Sequence, residues 1–229
     1  MPQLELLYDV GPCFAFNKAP GVATQAPPQF DSMEVRVKAW LREREGKPPT
    51  DNVYLGVPHR LDRPASGVLM FTRHVRAARK ISEQFERRTV KKTYWALVAG
   101  LVTPEAGTWT DYIKKVYGHP RAELVESGDP DGRPAILHYR TVGHTPHGSR
   151  LEIELETGRT HQIRVQAAAR GWPVLGDAFY GCTVPFGPQH AEERQRAIAL
   201  HGRSLSFVHP VSREEVTVVA PLPAEWGKE

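Results

Sequence analysis

The chain has 229 residues, with 30 Lys or Arg against 26 Asp or Glu, a formal net charge of +4. Hydrophobic residues at 40% and charged residues at 24% are ordinary for a globular protein and exclude a disordered tail, a coiled coil and a collagen repeat. No apolar run approaches the ~18 residues that a membrane span needs, and the opening MPQLELLYDVG lacks the basic and apolar regions of a secretory signal. A cytoplasmic protein is therefore expected. Nineteen glycines and twenty prolines point to many turns. Two cysteines, Cys13 and Cys182, make no disulfide framework. No Cys-x-x-Cys or His-Glu-x-x-His spacing suggests a metal. Asp129-Pro130-Asp131-Gly132 would place Arg140 where a calcium loop needs its bidentate acid, so it reads as a turn.

In chain order, Leu4 to Lys18 reads as two short strands around Gly11-Pro12, and Pro27-Pro28 as a loop. A helix is expected from about Ser32 to Glu45, with a stripe of Met33, Val37, Trp40 and Leu41. Asp31 with Glu34 would form its capping box, and Gly46 would end it. Val68 to Phe71 looks like a buried strand. A helix over Val75 to Arg88 would bury Val75, Ala78, Ile81 and Phe85. Thr93 to Val98 reads as a strand closed by Gly100. Arg121 to Val125 and Ala135 to Val142 flank a turn-rich segment and predict a hairpin. Arg150 to Glu156 alternates as a half-buried strand does. A helix from about Thr160 to Arg170 follows, then a Gly- and Pro-rich loop. Short strands near Leu205 to Val208 and Val216 to Ala220 end the chain. Strands outnumber helices without a βαβ rhythm, so the expected class is α+β with a mixed, mostly antiparallel sheet. No repeat or linker is visible, and one domain over 1–229 is expected.

Charge is uneven. Between Arg73 and Lys92, eight basic residues meet only Glu83 and Glu86. Arg76, Lys80 and Arg87 fall opposite the apolar side of the helix. With Arg88, Lys91 and Lys92 they form a candidate polyanion surface; a solvated helix face is the alternative.

Three segments carry candidate chemistry. His59-Arg60-Leu61-Asp62-Arg63-Pro64-Ala65-Ser66-Gly67 places a carboxylate among arginines before a buried strand, as an ionised nucleophile would require; a surface ion pair is the plainer alternative. Lys92 to Gly100 sets Tyr94 beside basic residues. Thr157-Gly158-Arg159-Thr160-His161-Gln162-Ile163-Arg164 is polar and basic at a strand-to-helix turn. The His-Arg-x-Asp string is not a kinase loop, since Gly67 stands where Asn is required and no phosphate loop accompanies it.

Together these segments resemble the RluA family of RNA pseudouridine synthases. His59 to Leu69 is similar to its HRLD-x-x-(T)SG signature, Lys92 to Gly100 to its K-x-Y strand, and Leu155 to Arg164 with Gly176-Asp177 to Tyr180-Gly181 to its L-x-TGR and GD-x-x-YG blocks. Asn17 to Gly21 resembles the opening NKP-x-G element, and Leu200-His201 and His209-Pro210 the late landmarks. Ala65 departs from the usual Thr, Ala19 shifts a proline, and Gln166 stands where His is frequent, on a helix taken to face the cleft.

The resemblance implies a pseudouridine synthase fold with flanking helices and a central RNA-binding cleft, in a single catalytic domain without an N-terminal S4 domain. It implies isomerisation of uridine in rRNA or tRNA, at a loop or bulge where base extrusion costs least. Asp62 would be the nucleophile, Tyr94 would stack on uracil, and Arg164 would pair with the aspartate. Arg60, His59, Arg63, Arg159, His161, Gln162 and Ile163 would contact substrate. No cofactor or metal is implied, and a monomer is the default. An inactive RNA-binding module on the same fold is the alternative reading.

Overall fold

A computed structural model describes residues 4–27 and 29–227; the loop expected at Pro28 and the first three residues lie outside them. The strands are β1 (Glu5–Val10), β2 (Cys13–Lys18), β3 (Ser66–Thr72), β4 (Lys91–Ala99), β5 (Ala106–Lys115), β6 (Ala122–Val125), β7 (Arg133–Thr145), β8 (Gly148–Leu155), β9 (Leu200–Val208) and β10 (Glu215–Val219). The helices are α1 (Met33–Arg44), α2 (Val75–Glu86) and α3 (Gln162–Ala169). The chain divides into two compact units, one of residues 1–91 and 202–223, the other of residues 92–201 and 224–229. This is an α+β fold, and the pairs β1–β2, β2–β3, β9–β10, β4–β8, β5–β6, β5–β7 and β7–β8 are antiparallel.

The first unit orders its strands β1-β2-β3-β9, with β10 on β9. Strands β2 and β3 are apolar on both alternations because both faces are covered. Cys13, Ala15, Val68 and Met70 join Ile81 of α2 and Leu205, Phe207 and Val218 in one core cluster. Phe14 and Phe16 turn the other way and pack on Phe71 and on Trp40 of α1. Fully burying each of these phenyl rings contributes roughly 1.5–3 kcal/mol. Gly67 stands in β3 at φ +120°, and a Cβ there would lie 2.3 Å from the carbonyl oxygen of Gly202 in β9. The Ser-Gly of the HRLD block thus allows two strands to meet at van der Waals distance.

Two local expectations are corrected in this unit. Helix α1 is capped by the Ser32 hydroxyl, which accepts from the Val35 N–H, and not by Asp31 and Glu34. Those carboxylates are drawn away by Arg36 and Lys38, which hold both below their usual pKa range. In α2 the buried residues are Ala77 and Ile81, and Val75 is 65% exposed. Ile81 and the half-buried Phe85 pack on the core as expected, so the departure lies at the first turn.

The second unit orders its strands β4-β8-β7-β5-β6. The expected hairpin between β6 and β7 does not form. Strand β5 inserts between them, placing Tyr112 against Val125 on one side and Pro134 on the other. The turn itself is as read: the Asp129 carboxylate accepts from the Asp131 N–H and pairs with Lys114 of β5. Turn residues mark where a chain reverses but not which strand it returns to. Helix α3 is buried from Gln162 to Ala167, with Val165 packed on Ile113, Ala122, Ala135 and Tyr180.

Candidate active site

The candidate residues fall in two groups, one in each unit. In the first, Asp62 sits half-buried between exposed Arg60 and Arg63, on a loop fixed mostly through its backbone. Thr24 Oγ1 donates to the Leu61 carbonyl and accepts from the Leu61 N–H, at 2.9 and 3.0 Å. The Arg63 carbonyl accepts from the Gly21 N–H and from Lys18 Nζ at 3.0 Å. The Ala65 N–H closes the turn onto the Asp62 carbonyl. The Ala65 side chain is buried, and the bond uses only its backbone N–H.

Lys18 is completely buried, and its Nζ also donates to the carbonyls of Ala19 and Val22. Three carbonyls match the three N–H bonds of an ammonium. Burial nevertheless pushes its pKa down to about 7, opposed by the attraction of the Asp62 carboxylate. The Asn-Lys and His-Arg-Leu-Asp blocks, 45 residues apart, are thereby one structural device. Lys18 was not among the expected site residues. A lysine in an otherwise apolar buried strand was the available signal.

His59 is tied to the fold: its Nε2 accepts from the Met70 N–H at 3.0 Å, and its ring stacks on Phe85 of α2 at 4.9 Å. The neutral ring therefore carries its proton on Nδ1. Of the expected polyanion surface, Arg76, Arg87, Arg88 and Lys91 are exposed, while Lys80 is half-buried.

In the second unit, Tyr94 is half-buried on β4 opposite Ile153 of β8, and alternation gives it the face of buried Ala96 and Val98. Half-buried Lys92 stands two residues before it. The Thr157 to Arg164 block forms a bracketed turn. Gln162 Oε1 accepts from Thr157 Oγ1 and the Arg159 N–H, and its Nε2 donates to the Ile136 carbonyl. Arg159 Nε donates to the Pro134 carbonyl, and Ile163 is buried. Gln162 and Ile163 thus hold the loop that carries Arg159 and His161. His161 adopts φ +54°, a left-handed conformation uncommon for a non-glycine residue and frequent at functional sites.

Arg164 is 5% exposed and forks onto Asp177, with Nε to Oδ2 at 2.6 Å and Nη2 to Oδ1 at 2.9 Å. Its guanidinium also lies 5.0 Å from the Tyr180 ring centre. Tyr180 Oη meets the Ala122 N–H and carbonyl and His161 Nδ1 at 2.9–3.1 Å. Asp177 and Tyr180, expected only as sequence landmarks, are the supports of Arg164 and His161. Gln166 is corrected: it is fully buried and its Nε2 donates to Asp111 at 2.6 Å. It binds α3 to the sheet and does not line a cleft.

A family model described as RNA pseudouridylate synthase matches residues 13–169. An uncharacterised RNA pseudouridine synthase of Chloroflexus aurantiacus is 42% identical over 170 residues, 74% of this chain and 51% of the relative. One from Bacillus subtilis is 32% identical over 97% of this chain and 70% of its own. The ribosomal large subunit pseudouridine synthase D of Xanthomonas campestris is 40% identical over 74% of this chain and 52% of its own. The chain thus spans about half the length of the first and third. Among solved structures, human RNA pseudouridylate synthase domain containing 1 superposes with a TM-score of 0.72 at 25% identity, covering 96% of this chain and 84% of that one.

Proposed function

Because the chain belongs to the RNA pseudouridylate synthase family, we propose that it isomerises uridines in rRNA or tRNA to pseudouridine, with Asp62 as nucleophile. The reaction breaks the N1–C1′ bond and forms C5–C1′; the proton lost from C5 is balanced by one gained at N1. No electrons or groups are exchanged with another molecule, so the reaction needs no redox partner. The observation that carries the reading is the loop around Asp62, clamped through Leu61, Arg63 and its own carbonyl. A carboxylate on such a loop keeps one position relative to a bound sugar, which is what near-attack geometry requires.

Tyr94 stacks on the extruded uracil, as aromatic rings do in single-stranded RNA recognition. Arg164 supplies a fixed positive charge, and Arg60 and Arg63 meet the RNA backbone beside Asp62. The substrate uridine lies in a loop or bulge, where extrusion costs only a few kcal/mol.

The test is pseudouridine mapping of rRNA and tRNA from cells with and without the gene, repeated on the unmodified RNA with purified full-length protein. A site lost without the gene and restored in vitro is expected. Asp62→Asn should abolish product while RNA affinity stays within a few-fold. Normal product from Asp62→Asn would overturn the nucleophile, and no product from the wild type would overturn the activity.

A further inference from the structure

In the first unit, a pocket of about 360 Å³ opens beside the start of α2, walled by His74, Arg76 and Lys80 of the helix segment, Pro12 of the β1–β2 turn, and Pro210 and Arg213 of the β9–β10 turn. Its lining brings together three permanent cations and a histidine with no carboxylate. Helix α2 has no acid in its first turn, and His74 makes no side-chain cap. The positive end of the helix therefore adds to the same field.

The far wall is a built feature. His209 is 3% exposed; its Nδ1 accepts from the Val211 and Ser212 N–H groups and its Nε2 bonds the Val10 carbonyl. Lys80 Nζ donates to the Pro210 carbonyl at 2.8 Å, which leaves two of its N–H bonds for other acceptors. Arg213 is held at φ +69°, a position glycine would occupy without strain.

Placement says what this pocket serves. It lies at the Thr72 end of β3, whereas Asp62 precedes the Ser66 end. Six residue steps at ~3.3 Å separate these ends by about 20 Å. A stacked strand advances ~3.4 Å per nucleotide, so about six nucleotides bridge that distance.

We propose that this pocket binds a backbone phosphate of the substrate RNA about six nucleotides from the modified uridine, through Arg76, Lys80 and Arg213. The proposal rests on the reading of the protein as an RNA-modifying enzyme and gives that enzyme a second point of attachment. Short RNAs engage the Asp62 loop alone, and longer ones engage both.

The experiment compares fluorescence-anisotropy binding of a 40-nucleotide mixed-sequence RNA and of hexauridylate across a salt series. The full-length wild type is set against Arg76→Ser/Arg213→Gly, in which the glycine relieves the left-handed backbone and so preserves the turn. Arg79→Ser, which loses a cation paired with Glu83 on the same helix, is the control. For the long RNA, the slope of log affinity against log salt should fall by about 0.7 in the double variant, the loss of one phosphate contact. Hexauridylate binding and the Arg79→Ser slope should not change. An unchanged slope in the double variant overturns the pocket, and an equal loss in Arg79→Ser reduces it to bulk charge. A wild type that binds neither RNA and forms no pseudouridine overturns the enzyme reading itself, whereas an active wild type with an unchanged slope overturns only the pocket.

Discussion

Substituting Asp177→Asn isolates the support of Arg164 with little change of shape. The side chains are 5% and 1% exposed, so water does not replace what is lost. Wild-type Asp177 offers Oδ1 and Oδ2 to the two guanidinium donors. Asparagine offers one neutral oxygen and turns an N–H toward the other donor, so the buried Arg164 loses the carboxylate that it forks onto here. Breaking such a pair from one side costs about 3–5 kcal/mol, a large part of the 5–15 kcal/mol that typically holds a domain together. With a urea slope of about 2 kcal/mol per molar, the denaturation midpoint should drop by about 2 M. Replacing both partners, in Arg164→Met/Asp177→Leu, removes this ion pair from both sides and should return stability to within about 1–2 kcal/mol of wild type. The double variant should nonetheless form no pseudouridine, since Arg164 is gone. Urea melts of the three proteins read all of this. A midpoint shift under about 0.5 M for Asp177→Asn (roughly 1 kcal/mol at that slope) would refute the reasoning.

Lys18 gives a pH dependence. Its pKa falls to about 7 in the folded protein from an ordinary 10.5, so between those values the unfolded chain holds a proton that the folded chain has released. Stability must then rise with pH across that window, by roughly 1 kcal/mol per pH unit. Lys18→Met should lose this rise, seen as a wild-type advantage growing by about 2 kcal/mol between pH 7 and 9 in urea melts; a constant difference would sink it. Gly67→Ala sets a Cβ against the Gly202 backbone at a positive φ and should cost about 3 kcal/mol or more; a melting temperature within about 2 °C of wild type would contradict it. Tyr180→Phe removes the hydroxyl that bridges Ala122 and His161 and should destabilise by about 1–3 kcal/mol, whereas an unchanged urea midpoint would show the bridge to be idle.

The amino-acid order alone determined most elements and the identity of the motif blocks. Period and punctuation are local properties: Gly11-Pro12 reverses β1 into β2, and Gly46 at φ +62° ends α1 where its stripe stops. Residue types that carry chemistry are equally legible, because a carboxylate flanked by arginines looks the same in any context. The partners of those residues depend on the tertiary structure. Strand β5 pairs with β6 on one edge and β7 on the other, and its Ile113 joins Ala122, Ala135 and Val165 of α3 in one core cluster, a choice made by long-range packing. Arg164 receives Asp177, and the loop bearing Asp62 receives Lys18, across 13 and 45 residues of chain. Hydrogen bonds and ion pairs act over a few ångströms of space, and only the folded backbone decides which distant residues come that close.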